Sequence, residues 1–301
     1  MSEAPLLKGI DRERVVDWLT RELPDLVAPL SFRLIAAGGS NLTYRVEDAR
    51  GAVFVLRRPP VAGALATAHD MSREWRIMSA LAANAPAVPV PRPLAYCADE
   101  TITGAQFYAM SFVDGLILRD AGAGASLDAA QARVAMRSLV ATQAALHALD
   151  PVAIGLGDLG RHEGYVARQL ARWRRQVEAS KTRDLPLLET LHERLSAQIP
   201  AQTRPSALAH GDYRFDNTVL GVDHRVCAVL DWELCTIGDP VADFYWSLMY
   251  WAEPGDDITL LPDAPTRLPP FPRRAEVVAC YEEFSGVPLT DADFFAAFGW
   301  W

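Results

Sequence analysis

The sequence predicts an α+β protein in two parts: a small strand-rich part over residues 1–112 and a larger helical part over 113–301. Three observations carry this. Before residue 113, five short apolar runs alternate with Gly-containing turns around one interposed helical pattern. Beyond Asp114-Gly115 the apolar spacing becomes helical over long, Ala-rich segments. One stretch interrupts those helices, HGDYRFDNTVLGVDHRVCAVLDWE (210–233), in which polar residues crowd two short strand-like runs.

Taken in order, residues 10–23 place Ile10, Val15, Trp18, Leu19 and Leu23 at helical spacing, and Pro24 stops them. SFRLIAAGGSNLTYRVEDARGAVFVLRRPP then reads as strand, turn, strand, turn, strand, with turns at Gly38-Gly39-Ser40-Asn41 and 48–51. A helix is predicted over 71–83, with Ser72 as its N-cap. Strands follow near 94–97 and 107–113. In the second part, 127–150, 164–180 and 184–198 read as helices. After the polar interruption, PVADFYWSLMYW and RRAEVVACYEEFSG return to helix. In GDPVADF, Asp239 suits an N-cap, Pro240 the first helical position and Asp243 the positive first turn.

Half of the residues are hydrophobic and 22% are charged, as in globular proteins generally. No window approaches the roughly 18 unbroken apolar residues that span a bilayer, and MSEAPLLKGIDRER does not read as a secretory leader. The four cysteines are scattered without a C-x-x-C pair, which points away from structural zinc and disulfides and towards a reducing, cytoplasmic setting. A net charge of −9 argues against nucleic acid as a partner. Only Lys8 and Lys181 are lysines, so nearly all positive charge is arginine.

Within 210–233, Val219–Leu220 and 226–230 flank a Gly-Val-Asp-His turn. A hairpin there returns the chain on itself, so Asn217 and Asp231 converge despite 14 positions of separation. An amide oxygen and a carboxylate are hard ligands of the kind Mg²⁺ takes beside phosphate oxygens. Asp212 is left as a carboxylate able to orient a hydroxyl and accept its proton. H-x-D-x-x-x-x-N with a following Asp is the residue set of phosphoryl transfer.

HGDYRFDN followed by VLDWE and GDPVADF resembles the aminoglycoside phosphotransferase and choline kinase superfamily, whose fold is bilobal and protein-kinase-like. FVLRRPP, REWRIMSAL, FYAMSFVDG and GYVARQLARWRRQ, in that order, look like the branch resembling the kinase-like domain of acyl-CoA dehydrogenase family members. The resemblance runs from about residue 30 to the end. It implies an ATP- and Mg²⁺-dependent phosphotransferase with ATP between the lobes and a small-molecule hydroxyl as acceptor. Asp212 then matches the catalytic Asp, and His210 the His that braces its loop. Asn217 and Asp231 match the metal ligands; Trp232 and Glu233 stand where protein kinases carry Phe-Gly. Glu233 either joins the metal site or caps the loop, and Asp216 reads as a loop hydrogen-bonder. At the nucleotide end the resemblance implies Gly38, Gly39, Ser40 and Asn41 near the phosphates. It implies Arg57, paired with Glu74, as the phosphate cation in place of the usual Lys, and 109–112, with Met110 and Phe112, as the adenine linker. Arg58 should face the other side of its strand.

On the acceptor side, Arg168, Arg172 and Arg175 share one helix face, either solvated or set for an anionic acceptor such as a CoA thioester. The aromatics of FYWSLMYW read as core. Against the family pattern the end, FFAAFGWW, reads as either shortened or carrying replaced last helices; on either reading Phe294, Phe295, Phe298, Trp300 and Trp301 would be exposed and the acceptor pocket incomplete. The acceptor class implied is a hydroxylated metabolite, with a hydroxyacyl-CoA as one form. The rival is a non-catalytic nucleotide- or acyl-CoA-binding module of the same fold.

Overall fold

A computed structural model describes residues 7–37, 41–60, 70–202 and 204–301. Gly38, Gly39 and Ser40 of the predicted phosphate turn lie outside the described residues. The chain divides into two compact units, Met1–Ala83 with Val90–Asp114, and Asn84–Pro89 with Gly115–Trp301.

The first unit is built on an antiparallel sheet of five strands: β1 (Ser31–Ala37), β2 (Leu42–Glu47), β3 (Val53–Arg58), β4 (Pro93–Cys97) and β5 (Phe107–Ser111), in the order β1-β2-β3-β5-β4. Helix α1 (Arg12–Glu22) begins where the Asp11 carboxylate accepts the Arg14 N–H at 3.2 Å. It buries Val15, Trp18 and Leu19 on one stripe, with Trp18 edge-on to Phe107 at 4.8 Å. Tyr44, Val46, Phe54, Leu56 and Ala109 belong to the same core, each large side chain contributing about 1.5–3 kcal/mol. The other face packs Val55, Tyr108 and Met110 against Met71 and Met78 of α2 (Met71–Asn84). The cap of α2 is Asp70 rather than Ser72: its Oδ1 accepts the backbone N–H groups of Ser72 and Arg73 at 3.0 and 3.1 Å. A carboxylate one position ahead of the helix outcompetes a hydroxyl already inside it.

The second unit contains α3 (Ala121–Gly124), α4 (Ala129–His147), α5 (Tyr165–Ser180), α6 (Pro186–Ala197), α7 (Pro240–Leu248), α8 (Arg274–Ser285) and α9 (Ala292–Trp300). Helix α4 starts in a capping box, Asp128 and Gln131 each accepting the other's backbone N–H. Ala132, Ala135 and Ala144 are among its buried residues, and the helix packs against α8. Two strand pairs interrupt the helices. The predicted hairpin is β7 (Thr218–Leu220) with β8 (Val226–Val229). The other, not read from the sequence, joins β6 (Ala207–Ala209) to β9 (Thr236–Gly238).

The C-terminal run departs from expectation. Among its five aromatics only Trp300 is exposed, at 48%; Phe295 is buried and stacks on Tyr245 at 5.9 Å. Phe294, Phe298 and Trp301 are half-buried, because α9 lies on α7 with Gly299 set against Met249. An unbroken apolar run shows no period, so its helical face could not be told from an exposed one.

Candidate active site

In the first unit, β3 alternation decides between two adjacent arginines. Arg57 Nε lies 3.1 and 3.2 Å from the two Glu74 carboxylate oxygens on α2, and Glu74 is 2% exposed. Arg58 turns to the opposite face, where it donates to the carbonyls of Pro59 and Thr103 at 2.9 and 3.0 Å. Burial lowers the Arg58 pKa from its usual value. The predicted ion pair is therefore formed, and a buried pair of this kind fixes where a guanidinium stands more than it stabilises the fold. Asn41 is buried at the start of β2. Met110 is buried in β5 opposite Val55. Ala109 and Ser111 also lie in β5, so of the predicted linker only Phe112 falls beyond the strand, exposed under the Arg45 guanidinium at 5.8 Å.

In the second unit, β6 runs directly into His210, which is wholly buried. Its Nε2 lies 2.9 Å from the Leu230 carbonyl, which can only accept. Its Nδ1 lies 3.2 Å from the Asp212 backbone N–H, which can only donate. The imidazole is thus neutral with its proton on Nε2, and its ring packs on Trp232 at 4.7 Å. Burial holds its pKa below 6.5, against smaller opposing effects of Asp243, Leu230 and Asp212. The folded state therefore binds fewer protons than the unfolded one between the depressed pKa and 6.5. His210 accordingly removes stability as pH falls below about 6.5. In a pH titration followed by nitrogen-15 NMR, its ring should stay neutral with Nε2 protonated until acid unfolding. An ordinary titration midpoint near 6.5 would contradict this.

Between His210 and Asp212, Gly211 adopts φ +83°, and a Cβ there would stand 3.0 Å from the Leu234 carbonyl oxygen. Asp243 braces the same turn from α7. Its Oδ1 accepts the Gly211 N–H at 2.8 Å; its Oδ2 accepts the His210 N–H at 3.3 Å, Gln143 Nε2 at 3.2 Å and His147 Nε2 at 3.0 Å. Burial would raise its pKa, but the His147 hydrogen bond and charge and the Gly211 N–H outweigh it, and the net shift is downward. His147 is itself held by the Tyr281 hydroxyl at 2.7 Å. Asp239 caps α7 through the Val241 and Ala242 N–H groups at 2.8 and 3.2 Å. The Trp246 indole N–H reaches the Gly211 carbonyl at 2.8 Å.

Asp212 is held from two sides. Asn217 Nδ2 donates to its carbonyl and its Oδ2, both at 2.8 Å. Arg214 Nε lies 3.3 Å from its Oδ1, and the Tyr250 phenol stands near enough to feel its charge. Each carboxylate oxygen carries two acceptor sites, so capacity remains for a further hydroxyl. Burial first, then the charge of Asp212, push the Tyr250 pKa up. Arg214 also pairs with Asp216 at 3.1 Å and lies 4.9 Å over the Tyr250 ring. Burial raises the Asp216 pKa against that cation.

The hairpin pairs the backbone of Asn217 with the residue that precedes Asp231. The Leu230 N–H bonds the Asn217 carbonyl at 2.8 Å, extending the β7–β8 ladder to the residue before Asp231. Asp231 has left-handed backbone, φ 63° and ψ 64°, which Asp tolerates better than most residues. Asn217 spends its N–H groups on Asp212, and among the described residues its Oδ1 takes no hydrogen bond. Among the described residues no cluster of three or more His, Cys, Asp and Glu side chains suits a metal ion. The pair instead offers one amide and one carboxylate oxygen, which fits a hard cation completed by water and phosphate rather than a closed protein cage. Glu233 follows in a short 3₁₀ turn.

An open recess adjoins the loop, with Leu139, Phe244, Leu248 and Trp251 as walls and Arg214 and Asp216 at its polar side. Sequence reasoning passed over Arg214, Tyr250, His147 and Gln143. Arg214 stood inside the quoted motif, and Tyr250 was counted as core; the other two carry no local signal.

The phosphotransferase enzyme family matches residues 31–268. Acyl-CoA dehydrogenase family member 11 of Gallus gallus is 36% identical over 258 residues, covering 84% of this chain and 33% of that protein. The chain thus spans about a third of the curated relative it matches. A solved structure from Ralstonia eutropha, provisionally described as an aminoglycoside phosphotransferase, superposes with a TM-score of 0.78 at 34% identity, covering 96% of this chain and 85% of that one. The streptomycin–ATP ternary complex of the aminoglycoside phosphotransferase APH(2″)-IIa shares the fold, with a TM-score of 0.64 at 15% identity over 96% and 85% of the two chains.

Proposed function

The chain belongs to the phosphotransferase enzyme family, and from that premise we propose that it transfers the γ-phosphoryl group of ATP to a hydroxyl of a small molecule. The observation that carries this reading is the Asp212 carboxylate, held by Asn217 and Arg214 with acceptor capacity to spare. Asp212 orients the acceptor hydroxyl and takes its proton as the oxygen bonds to γ-phosphorus; the bond to the ADP oxygen breaks. Asn217 and Asp231 would hold Mg²⁺, which supplies charge neutralisation at the β- and γ-phosphates. Arg57, set by Glu74, contributes a fixed cation for phosphate. His210 and Asp243 touch no reacting atom; they hold the backbone from which Asp212 projects.

The acceptor in this reading is a hydroxylated metabolite, a hydroxyacyl-CoA among the forms it takes. The likeness to acyl-CoA dehydrogenase family members supports that choice, as do the apolar walls of the recess beside Arg214 and Asp216. Calorimetric titration of ATP with and without Mg²⁺ tests the site, and wild-type binding should require Mg²⁺. Asp231→Asn keeps the left-handed backbone while removing the charge, so it isolates the metal role from strain. The expected result is loss of the Mg²⁺ dependence of ATP affinity; an unchanged dependence would remove Asp231 from the metal site.

A further inference from the structure

A second recess of about 660 Å³ in the same unit is lined by Arg161, Arg168, Arg172 and Arg175, with Tyr165 and Thr236. In a chain with nine more acidic than basic residues, none of these four arginines has a carboxylate within 4.0 Å among the described residues. Other arginines find one: Arg174 of the same helix pairs with Glu178, Arg133 with Glu276 and Arg137 with Glu283. Four like charges in one concavity repel one another, and a concave wall concentrates their field. Arg168 is anchored by Nη2 on the Arg161 carbonyl at 2.8 Å. Its Nη1 is buried and takes no partner among the described residues. A purely solvated face would leave no charged donor buried and unused.

We infer that this recess is a binding site for the phosphate groups of a small molecule. Guanidinium forks match phosphate oxygens in geometry and stay charged at every physiological pH. Arg168 supplies the buried donor, and Arg172 and Arg175 supply exposed cations on the same helix face. Thr236, on the opposite wall, pairs in β9 with Ala209, the residue before His210. An anion held there stands beside the strand pair that launches the catalytic loop. That the phosphate is part of the acceptor rests on the phosphotransferase reading; the site itself does not.

Inorganic pyrophosphate, titrated calorimetrically into the full chain, is the first probe. Wild type and Arg57→Gln should bind it alike. Arg172→Gln/Arg175→Gln should bind it at least ~10-fold more weakly, the loss of one to two charge-assisted bonds. Both replaced side chains are exposed, so the fold is kept, and Mg²⁺–ATP affinity in the double variant should match wild type. No binding by wild type, undiminished binding by the double variant, or loss in Arg57→Gln alone each overturns the site. Failure of Mg²⁺–ATP to bind wild type would sink the phosphotransferase reading while leaving the pyrophosphate result standing. ATP turnover with matched alcohols, with and without a phosphate group, assigns the source. A phosphorylated alcohol preferred at least ~10-fold by wild type, and not by the double variant, places the phosphate on the acceptor. Added phosphate that changes turnover of every alcohol alike makes it a free effector. Turnover that responds to neither removes the site from the reaction.

Discussion

Asp212→Ala lowers kcat by about 10²–10⁴-fold and leaves Mg²⁺–ATP affinity close to wild type. The expectation rests on a division of labour within the twenty residues 212–231. In the proposed site Asn217 and Asp231 supply the oxygens for a cation, whereas Asp212, held by Asn217 Nδ2 and Arg214, is a separate group. Removing its carboxylate deprives the acceptor hydroxyl of its orienting partner and proton acceptor without emptying the metal site. Fold should persist, because Asp212 is only partly buried and its backbone contacts to His210 and Asn217 do not need the carboxylate. Turnover within threefold of wild type, measured as ADP release with a working acceptor, would take Asp212 out of the reaction.

Asp243→Ala is expected to destabilise the protein by about 3–5 kcal/mol, the usual consequence of removing one partner from a buried charged network. Four donors lose their acceptor at once: the N–H groups of His210 and Gly211, Gln143 Nε2 and His147 Nε2. Each buried unsatisfied donor costs about 1–3 kcal/mol, and the four share one vacated space, so the costs do not simply add. Set against a stability of roughly 5–15 kcal/mol, the loss is large enough to be plain in a denaturant midpoint. Because the folded Asp243 pKa is depressed, the stability it contributes is present above 3.8 and disappears as pH falls through the depressed value. A midpoint within about 1 kcal/mol of wild type would mean the loop is braced by something else.

The two variants separate chemistry from scaffolding, and the sequence separated them unevenly. The catalytic set was legible because its members sit close along the chain or are joined by a hairpin whose turn can be read. Arg57 and Arg58 were told apart by the period of two, and Asp239 by cap chemistry ahead of Pro240. What escaped notice depends on distance along the chain. His147 meets Asp243 across 96 positions and Tyr281 across 134, and no local pattern encodes such a meeting. The β6–β9 pair escaped for a related reason: three-residue strands fall below the length at which alternation can be recognised. Tyr250 was hidden by its neighbours, since a phenol within FYWSLMYW reads as apolar mass until its ring is seen under the Arg214 guanidinium. Aromatics on α9 were misjudged for want of any polar face to orient the helix.

Gly211 gives the loop a further consequence, one that concerns abundance rather than rate. Its φ of +83° and the Leu234 carbonyl 3.0 Å from where a Cβ would stand make that position a matter of shape alone. A side chain there would strain the turn between His210 and Asp212 and press the catalytic loop off the segment that follows Asp231. Proteins so weakened are cleared by cellular proteases, whereas those that keep their fold accumulate. On the proposed function, adjacent letters of one motif are therefore expected to fail in opposite ways: altered at 211, the chain is depleted from the cell; altered at 212, it persists as an inert copy.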